Sequence, residues 1–295
     1  MNGIILIDKP QGWTSHDVVA KLRGILHMKK IGHTGTLDPA AEGVLPVALG
    51  KGTRLVELLT EKEKTYEAVL RLGISTDTQD MTGAVLSEKP VTVTEEEVRE
   101  AVGSFVGEQQ QVPPMYSALK VNGKKLYELA REGKTIERKP RPVVFYEIRI
   151  LNMELPLVRI SVTCSKGTYI RALARDLGRA CESAAHISAL RRTASGVVSI
   201  GACHAVEELS PETAPGFALD PIAALGATRV DLPGNLAEDL LCGRRIPVER
   251  ALADFDASKA PFALVLDGGL KALARIESGR FVMEHVFPQA IGGVR

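Results

Sequence analysis

Short strand patterns and helical patterns follow one another irregularly along the first 205 residues. The strand patterns lie at 65–74, 143–151 and 157–164. The helical patterns lie at 15–28, 94–104 and 168–182. Ser15 is the expected N-cap of the first helix, and Thr94 that of the second. Because strands and helices do not alternate regularly, the sequence predicts an α+β fold rather than a doubly wound sheet.

A proline-rich stretch separates this region from the end of the chain. Residues 204–228 contain Pro211, Pro215, Pro221 and several glycines, which is typical of a domain boundary. Beyond it, strand patterns lie at 262–267, 272–276 and 280–287. We therefore predict a main domain at 1–210, a linker at 211–228 and a small, mostly-β domain at 229–295.

The composition and the absence of several motifs exclude some classes of protein. Among the 295 residues, 45% are hydrophobic and 25% are charged, and no apolar run approaches the roughly 20 residues of a membrane-spanning helix. The first residues do not resemble a secretory signal, and the four cysteines are scattered, so we expect a cytoplasmic protein with free thiols. The chain has no nucleotide-binding glycine motif and no metal-ligand spacing, so we expect neither a cofactor nor a metal.

The near-neutral net charge of +1 hides a basic first part. Residues 1–205 hold 28 Lys and Arg against 23 Asp and Glu, whereas residues 206–295 hold 9 against 13. Within the first part, residues 120–141 carry 8 basic and 3 acidic side chains. Such a patch suits a polyanion that is gripped in one place, although a solvated helix face has the same composition.

The segment 32–50, GHTGTLDPAAEGVLPVALG, contains a single aspartate, Asp38, among glycines and prolines. Pro39 favours an extended conformation for the residue before it, and the glycines on either side allow an unusual backbone path. Such a loop can present a carboxylate into a cleft. A second interpretation makes Asp38 the cap of a helix that begins near Pro39.

A presented carboxylate needs a partner to aim it, and residues 164–171, CSKGTYIR, offer Arg171. Tyr169 and Arg171 would share one face if the strand before them continued through both. Arg171 could equally form a purely structural ion pair.

These segments resemble the catalytic blocks of the TruB-type pseudouridine synthases, in the same order. The block around Asp38 resembles the family's catalytic motif, and IDKPQGWTSHDVV resembles its Lys-Pro motif. The remaining blocks are KEKTYEAVLRLG, QVPPMYSALKVNGKKLYELAREG and SKGTYIRALARDLG. The resemblance covers roughly residues 1–195 and is weaker beyond residue 205.

The resemblance implies a function, a fold and a set of site residues. The implied reaction is isomerisation of uridine to pseudouridine at position 55 in the T loop of tRNA, with the base flipped into a cleft and one catalytic Asp, Asp38. The implied fold is a mixed, mainly antiparallel sheet flanked by helices, with a PUA-like C-terminal domain. The implied substrate-binding residues are Tyr66, Tyr169, Arg171, His33, Lys9 and Pro10. Residues 115–141 would form an RNA-gripping thumb, with contacts from Lys120, Lys124, Lys125 and Arg131.

The resemblance also bears on partners. It implies the T arm of tRNA as the RNA partner, no membrane, no obligatory protein partner, no cofactor and a monomer. Two other functions stay open: a non-catalytic module that binds or folds tRNA, and a synthase that acts on another RNA. Because all the implied site residues precede the boundary, we expect a chain that ends near Pro221 to remain active.

Overall fold

The computed structural model describes residues 1–121 and 123–292. Asn122 of the predicted thumb and residues 293–295 of the predicted C-terminal domain lie outside the described residues. The strands are β1 (Gly3–Lys9), β2 (Ile31–His33), β3 (Glu42–Leu49), β4 (Lys64–Leu72), β5 (Ile74–Thr76), β6 (Val85–Glu88), β7 (Gly107–Gln111), β8 (Lys120–Val121), β9 (Lys124–Lys125), β10 (Arg141–Glu154), β11 (Leu157–Cys164), β12 (Ala185–Ser195), β13 (Val198–Ser199), β14 (Thr228–Asp231), β15 (Ile246–Pro247), β16 (Phe262–Leu266), β17 (Gly269–Glu277) and β18 (Arg280–Ile291).

Most helices are short. The α-helices are α1 (Ser15–Ile25), α2 (Val56–Thr60), α3 (Glu95–Ser104), α4 (Leu126–Arg131), α5 (Ile170–Ala180), α6 (Ala214–Phe217), α7 (Pro221–Leu225) and α8 (Ala237–Leu241). The 3₁₀ turns are Gly50–Leu55, Ile200–Ala202, Val206–Glu208, Gly234–Leu236 and Val248–Arg250. In the described part of the chain, no helix is long and apolar enough to cross a membrane.

The large sheet has the strand order β1-β3-β12-β4-β11-β10-β7, with β2 beside β3 and β13 beside β12. Its neighbouring strands are antiparallel, except that β3 and β12 run parallel. The predicted mixed, mainly antiparallel sheet is therefore confirmed. Tyr66 of β4 lies opposite Val162 of β11 and Arg192 of β12, near the middle of this sheet.

The main core lies between the sheet and the helices α3 and α5. Leu70 and Ile160 of the sheet pack in one cluster with Val98 of α3 and Leu173 of α5. Full burial of each such side chain stabilises the fold by roughly 1.5–3 kcal/mol. This core fixes α5, and with it Arg171, against the centre of the sheet.

The helix caps agree with the sequence in one case and differ in the other. Thr94 caps α3 with a reciprocal capping box, as predicted. The cap of α1 is Thr14, whose side chain accepts from Asp17, so the assignment of this role to Ser15 is wrong. Ser15 instead turns its hydroxyl inward toward the loop that contains Asp38.

Residues 211–228 are folded against the main sheet and do not form a free linker. Leu219 N–H donates to the carbonyl of Ile4 in β1 at 2.8 Å. Pro215 and Pro221 stand at the starts of α6 and α7. A proline is tolerated there because the first helical residue needs no N–H partner. The prolines therefore begin short helices where the sequence analysis expected a linker.

The end of the chain forms the mostly-β unit that the sequence predicted. Its sheet has the order β14-β16-β17-β18-β15 and packs on its own core with α8. A second apolar cluster joins this unit to the main sheet, because Val265 and Leu270 are buried together with Ile4 and Val44. The two parts thus share an interior.

Candidate active site

Asp38 lies in the loop between β2 and β3, and backbone contacts hold this loop in place. The buried Ser15 hydroxyl accepts from Leu37 N–H at 2.9 Å and lies 3.2 Å from the Leu37 carbonyl. Ala41 N–H donates to the Asp38 carbonyl at 3.0 Å, and β3 starts at the next residue. No helix begins at Pro39, so the interpretation of Asp38 as a helix cap is wrong.

The Asp38 carboxylate meets Arg171. Arg171 Nε donates to Asp38 Oδ2 at 2.8 Å, and the arginine is 4% exposed while the aspartate is 37% exposed. The other two guanidinium nitrogens donate to the carbonyls of Thr78 and Tyr116, each at 2.7 Å. One nitrogen therefore aims the carboxylate, and the other two fix the arginine itself.

The first turn of α5 places Arg171 by a route that the sequence analysis did not foresee. Tyr169 is the N-cap residue of α5, with φ −106° and ψ 111°, and Arg171 already lies in the helix. The extended stretch therefore ends before Arg171. Both side chains nevertheless line one cavity, because the first helical turn rotates Arg171 towards the loop of Asp38.

This cavity has a volume of about 240 Å³. Among the described residues that line it, Asp38 is the only carboxylate. Tyr66 and Tyr169 supply aromatic walls, and the aliphatic lining residues are Leu37, Ala41, Ala118, Ile170 and Leu190. A carboxylate at the edge of a small, mainly apolar cavity can act on a planar group that enters it.

Burial sets the protonation of the two tyrosines. It raises the pKa of Tyr66 and the pKa of Tyr169 above the ordinary value of 10.0, and the charge of Arg192 acts against the rise at Tyr66. Both hydroxyls therefore stay protonated at neutral pH. Each tyrosine offers the cavity an aromatic ring and an O–H group without adding negative charge beside Asp38.

The sequence of this site matches a known family. The family model described as TruB family pseudouridylate synthase (N terminal domain) matches residues 23–170. The chain belongs to the TruB family. The match includes the Asp38 loop, Tyr66 and Tyr169 and ends one residue before Arg171.

Curated TruB relatives cover most of the chain. A tRNA pseudouridine synthase B of Ralstonia pickettii (strain 12J) is 46% identical over 264 residues, which are 87% of this chain and 83% of the relative. A tRNA pseudouridine synthase B of Burkholderia pseudomallei (strain 668) is 41% identical over 292 residues, 97% of each chain. The second match also spans the C-terminal unit.

A solved structure has the same architecture. The chain in the crystal structure of a Cbf5-Nop10-Gar1 complex is 28% identical, with a TM-score of 0.72. The match covers 98% of this chain and 84% of that chain. The expected combination of a synthase sheet with a small mostly-β C-terminal unit is thus found in this structural relative.

Three residues that the TruB resemblance assigns to the substrate site do not line the cavity: Lys9, Pro10 and His33. Lys9 is fully buried, and its Nζ donates to the carbonyls of Pro10 at 2.9 Å and Trp13 at 2.6 Å. Burial lowers the pKa of Lys9 to about 8, although the charge of Asp38 partly opposes this. Burial also lowers the pKa of His33.

The basic segment of the TruB resemblance forms a small hairpin, β8 and β9, followed by α4. Lys120, Lys124 and Arg131 are exposed. Lys125 and Arg131 both lie 5.4 Å from the centre of the Tyr127 ring. Ser117 and Ala118, at the root of this segment, line the cavity. The thumb, residues 115–141, therefore begins at the rim of the site.

Three cations that line the cavity were not predicted from the sequence: Lys64, Lys166 and Arg192. Lys64 is 6% exposed, and its Nζ donates to the carbonyls of Thr60 and Lys62. Burial, together with the Arg192 charge, lowers its pKa to about 8. Lys64 had a signal in the sequence, because it falls on the same alternating face as Tyr66 and Ala68, whereas Arg192 had none.

Asp80 was also missed. It is 6% exposed, and its Oδ2 lies 3.9 Å from Arg171 Nε. Its other oxygen, Oδ1, accepts from the hydroxyls of Thr78 and Thr82. A second carboxylate therefore stands behind Arg171, outside the lining of the cavity. Within 1–121 and 123–292, no group of three or more His, Cys, Asp and Glu side chains could hold a metal ion.

Proposed function

We propose that this chain isomerises uridine to pseudouridine in tRNA, at position 55 in the T loop, with Asp38 as its catalytic residue. Family membership and the names of the curated relatives, tRNA pseudouridine synthase B, support the reaction and the substrate class. The observation that carries the assignment of the site is the Asp38–Arg171 contact at the edge of the small cavity.

The chemistry needs one carboxylate. Isomerisation breaks the bond between N1 of the base and C1′ of the sugar and joins C5 to C1′, and C5 loses a proton while N1 gains one. The detached uracil is itself the incoming group, whereas glycoside hydrolysis needs a second carboxylate to activate water. Asp38, presented by its loop and aimed by Arg171, is placed to act as nucleophile or base.

We propose that the target base leaves its stack and enters the cavity. A base must be extruded before an enzyme can reach its glycosidic bond. The volume of about 240 Å³ is below the roughly 300–1,000 Å³ of pockets for drug-sized ligands and suits a single base. Stacking on the Tyr66 ring would recover roughly 1–3 kcal/mol of the stacking energy that the base gives up on leaving the RNA. The Tyr169 ring lines the same cavity.

We propose that the thumb grips the RNA beside the cavity. Lys120, Lys124, Lys125 and Arg131 have no carboxylate within 4.0 Å in the described part of the chain, which leaves their charges free for phosphates. Asp38, Tyr66, Tyr169 and Arg171 of a single copy line one cavity, so the site needs no residue from a second copy, and we propose a monomer. Residues 1–210 would form the catalytic unit and 229–292 the described part of a PUA-like unit.

The experiment compares wild-type protein with Asp38→Asn and with Glu42→Gln as the matched control. Glu42 is a carboxylate four positions further on that pairs with Arg191 and does not line the cavity. We expect Asp38→Asn to lose pseudouridine formation while tRNA binding is retained, and Glu42→Gln to keep both. A wild-type protein that binds tRNA without forming pseudouridine would instead indicate a binding or folding module.

A further inference from the structure

Arg192 of β12 is a buried cation without an acidic partner. It is 1% exposed, and no carboxylate oxygen of residues 1–121 and 123–292 lies within 4.0 Å of its guanidinium. Burial of such a charge is unfavourable unless hydrogen bonds compensate for the water that it gives up. The compensating hydrogen bonds must therefore come from neutral groups.

The guanidinium of Arg192 donates hydrogen bonds to two backbone carbonyls, one before Asp38 in the sequence and one after it. Arg192 Nε donates to the Val44 carbonyl at 2.7 Å, and Nη2 donates to the Gly35 carbonyl at 2.9 Å. Gly35 precedes Asp38 in the loop, and Val44 follows it at the start of β3. One side chain thus links the two ends of the loop that presents the carboxylate.

Two glycines make this approach possible. Gly43 has φ +104°, and a Cβ atom there would lie 2.2 Å from the Arg192 carbonyl. Gly35 has φ +64°, and a Cβ atom there would lie 3.3 Å from Arg192 Nη1. The parallel pairing of β3 with β12 places Arg192 directly beside Gly43. The glycines of the Asp38 segment therefore leave space for this arginine as well as freedom for the loop.

Arg192 is also the cross-strand neighbour of Tyr66. The two residues are paired in the antiparallel ladder of β12 and β4, and both line the cavity. The guanidinium therefore connects the strand next to Tyr66 with the loop of Asp38. Arg171 holds the carboxylate itself, whereas Arg192 holds the backbone that carries it, and the Arg192 charge also acts on the Tyr66 hydroxyl.

We propose that Arg192 is a positioning residue that sets the separation between the Asp38 carboxylate and the Tyr66 ring. The inference rests on the proposed function, because it assumes that the base lies between these two side chains. A lysine at position 192 would keep the charge but could not donate in the planar fork that reaches both carbonyls. Small displacements of a reacting group lower the rate of the chemical step more than they weaken binding.

The test uses Arg192→Lys and Arg192→Ala, with Arg191→Lys as the matched control. Arg191 is the adjacent arginine of the same strand, is partly exposed, and pairs with Asp8 at 2.6 Å and Glu42 at 2.8 Å. Single-turnover rates on a tRNA transcript and the Kd for that transcript are measured for each variant. We expect the single-turnover rate of Arg192→Lys to fall at least about 10-fold with little change in Kd. Arg191→Lys should keep both the rate and the Kd of the wild-type protein.

Two further readouts make the result decisive. Amide exchange in the RNA-free protein should quicken at Leu37 and Ala41 in Arg192→Lys but not in Arg191→Lys. Guanidinium ion should restore part of the rate of Arg192→Ala, whereas methylammonium should not. A wild-type rate in Arg192→Lys, unchanged exchange, or a loss confined to Kd would overturn the proposal. An inactive wild-type protein would refute the proposed function, while the exchange measurement would still decide whether Arg192 holds the loop.

Discussion

Arg171 donates its Nε–H to the Asp38 carboxylate at 2.8 Å, across 133 positions of sequence. The same guanidinium binds the carbonyl of Tyr116 at the root of the thumb and the carbonyl of Thr78. The carboxylate loop, the thumb and the turn after β5 therefore meet at one side chain.

Arg171→Lys should reduce the rate by roughly 100-fold, because one ammonium group cannot make all three hydrogen bonds and the carboxylate would no longer be aimed. The free energy of unfolding should also fall by about 1–3 kcal/mol, since buried carbonyls lose their donors. Single-turnover assays and urea melts measure the two effects. Arg179→Lys, on the same helix but 73% exposed, is the control. A wild-type rate for Arg171→Lys would contradict this role.

Tyr66→Ala should be much slower than Tyr66→Phe, because phenylalanine keeps the aromatic face and alanine removes it. The difference should approach the roughly 1–3 kcal/mol of one stacked base. Single-turnover rates on a tRNA transcript compare the two variants. Equal losses in both would show that the hydroxyl, and not the ring, is the essential group.

Replacement of Lys124 and Lys125 by alanine should weaken tRNA binding. The slope of log affinity against log salt should become shallower by about 0.7–0.9 for each phosphate that the variant no longer neutralises. Binding titrations at several salt concentrations measure this slope. Arg99→Ala with Arg149→Ala, which removes two exposed cations paired with acids, should leave it unchanged. An unaltered slope in the lysine variant would place the hairpin outside the interface.

The shared apolar cluster changes the expectation for a chain that ends near Pro221. Such a chain would expose Ile4 and Val44, which pack with Val265 and Leu270, so the structure predicts aggregation instead of activity. A milder test is Leu270→Ala, which should lower the free energy of unfolding by about 2–5 kcal/mol. Leu252→Ala, at a side chain that is 65% exposed, is the control. A single cooperative melt would show that the two parts unfold together, and an early melt of the C-terminal part alone would contradict this.

Lys9 should make the free energy of unfolding depend on pH in the alkaline range. Its pKa is about 8 in the folded chain against 10.5 for an ordinary lysine. Between these values the unfolded chain holds a proton that the folded chain has released. The free energy of unfolding therefore rises as the pH rises from about 8 to 10.5. Denaturant melts of wild type and Lys9→Met across this range measure the contribution as a difference. Parallel curves for the two proteins would contradict the lowered pKa.

The sequence predicted the parts of this fold that depend on local patterns. The strand pattern at 65–74 predicted β4, and Thr94 predicted the start of α3. The packed helices at 214–225 were missed because a proline-rich sequence is typical of a linker, although here the prolines begin helices. The shared core was missed because an apolar strand does not reveal its partner.

The site was only partly predictable for a similar reason. The resemblance pointed to Asp38, Tyr66, Tyr169 and Arg171, which the structure brings to one cavity. Arg192 and Asp80 act through backbone carbonyls and neighbouring hydroxyls, contacts that exist only once the strands are paired. A buried cation that binds carbonyls looks in the sequence like any surface arginine, and Arg191 beside it is one that remains partly exposed.

The proposed reaction forms pseudouridine at one position of the tRNA T loop. The most direct measurement is chemical mapping of pseudouridine along a full-length tRNA transcript after incubation with the purified protein. We predict a single new pseudouridine, at position 55, with wild-type protein and none with Asp38→Asn. Modification at another position, or an equal yield from Asp38→Asn, would contradict it.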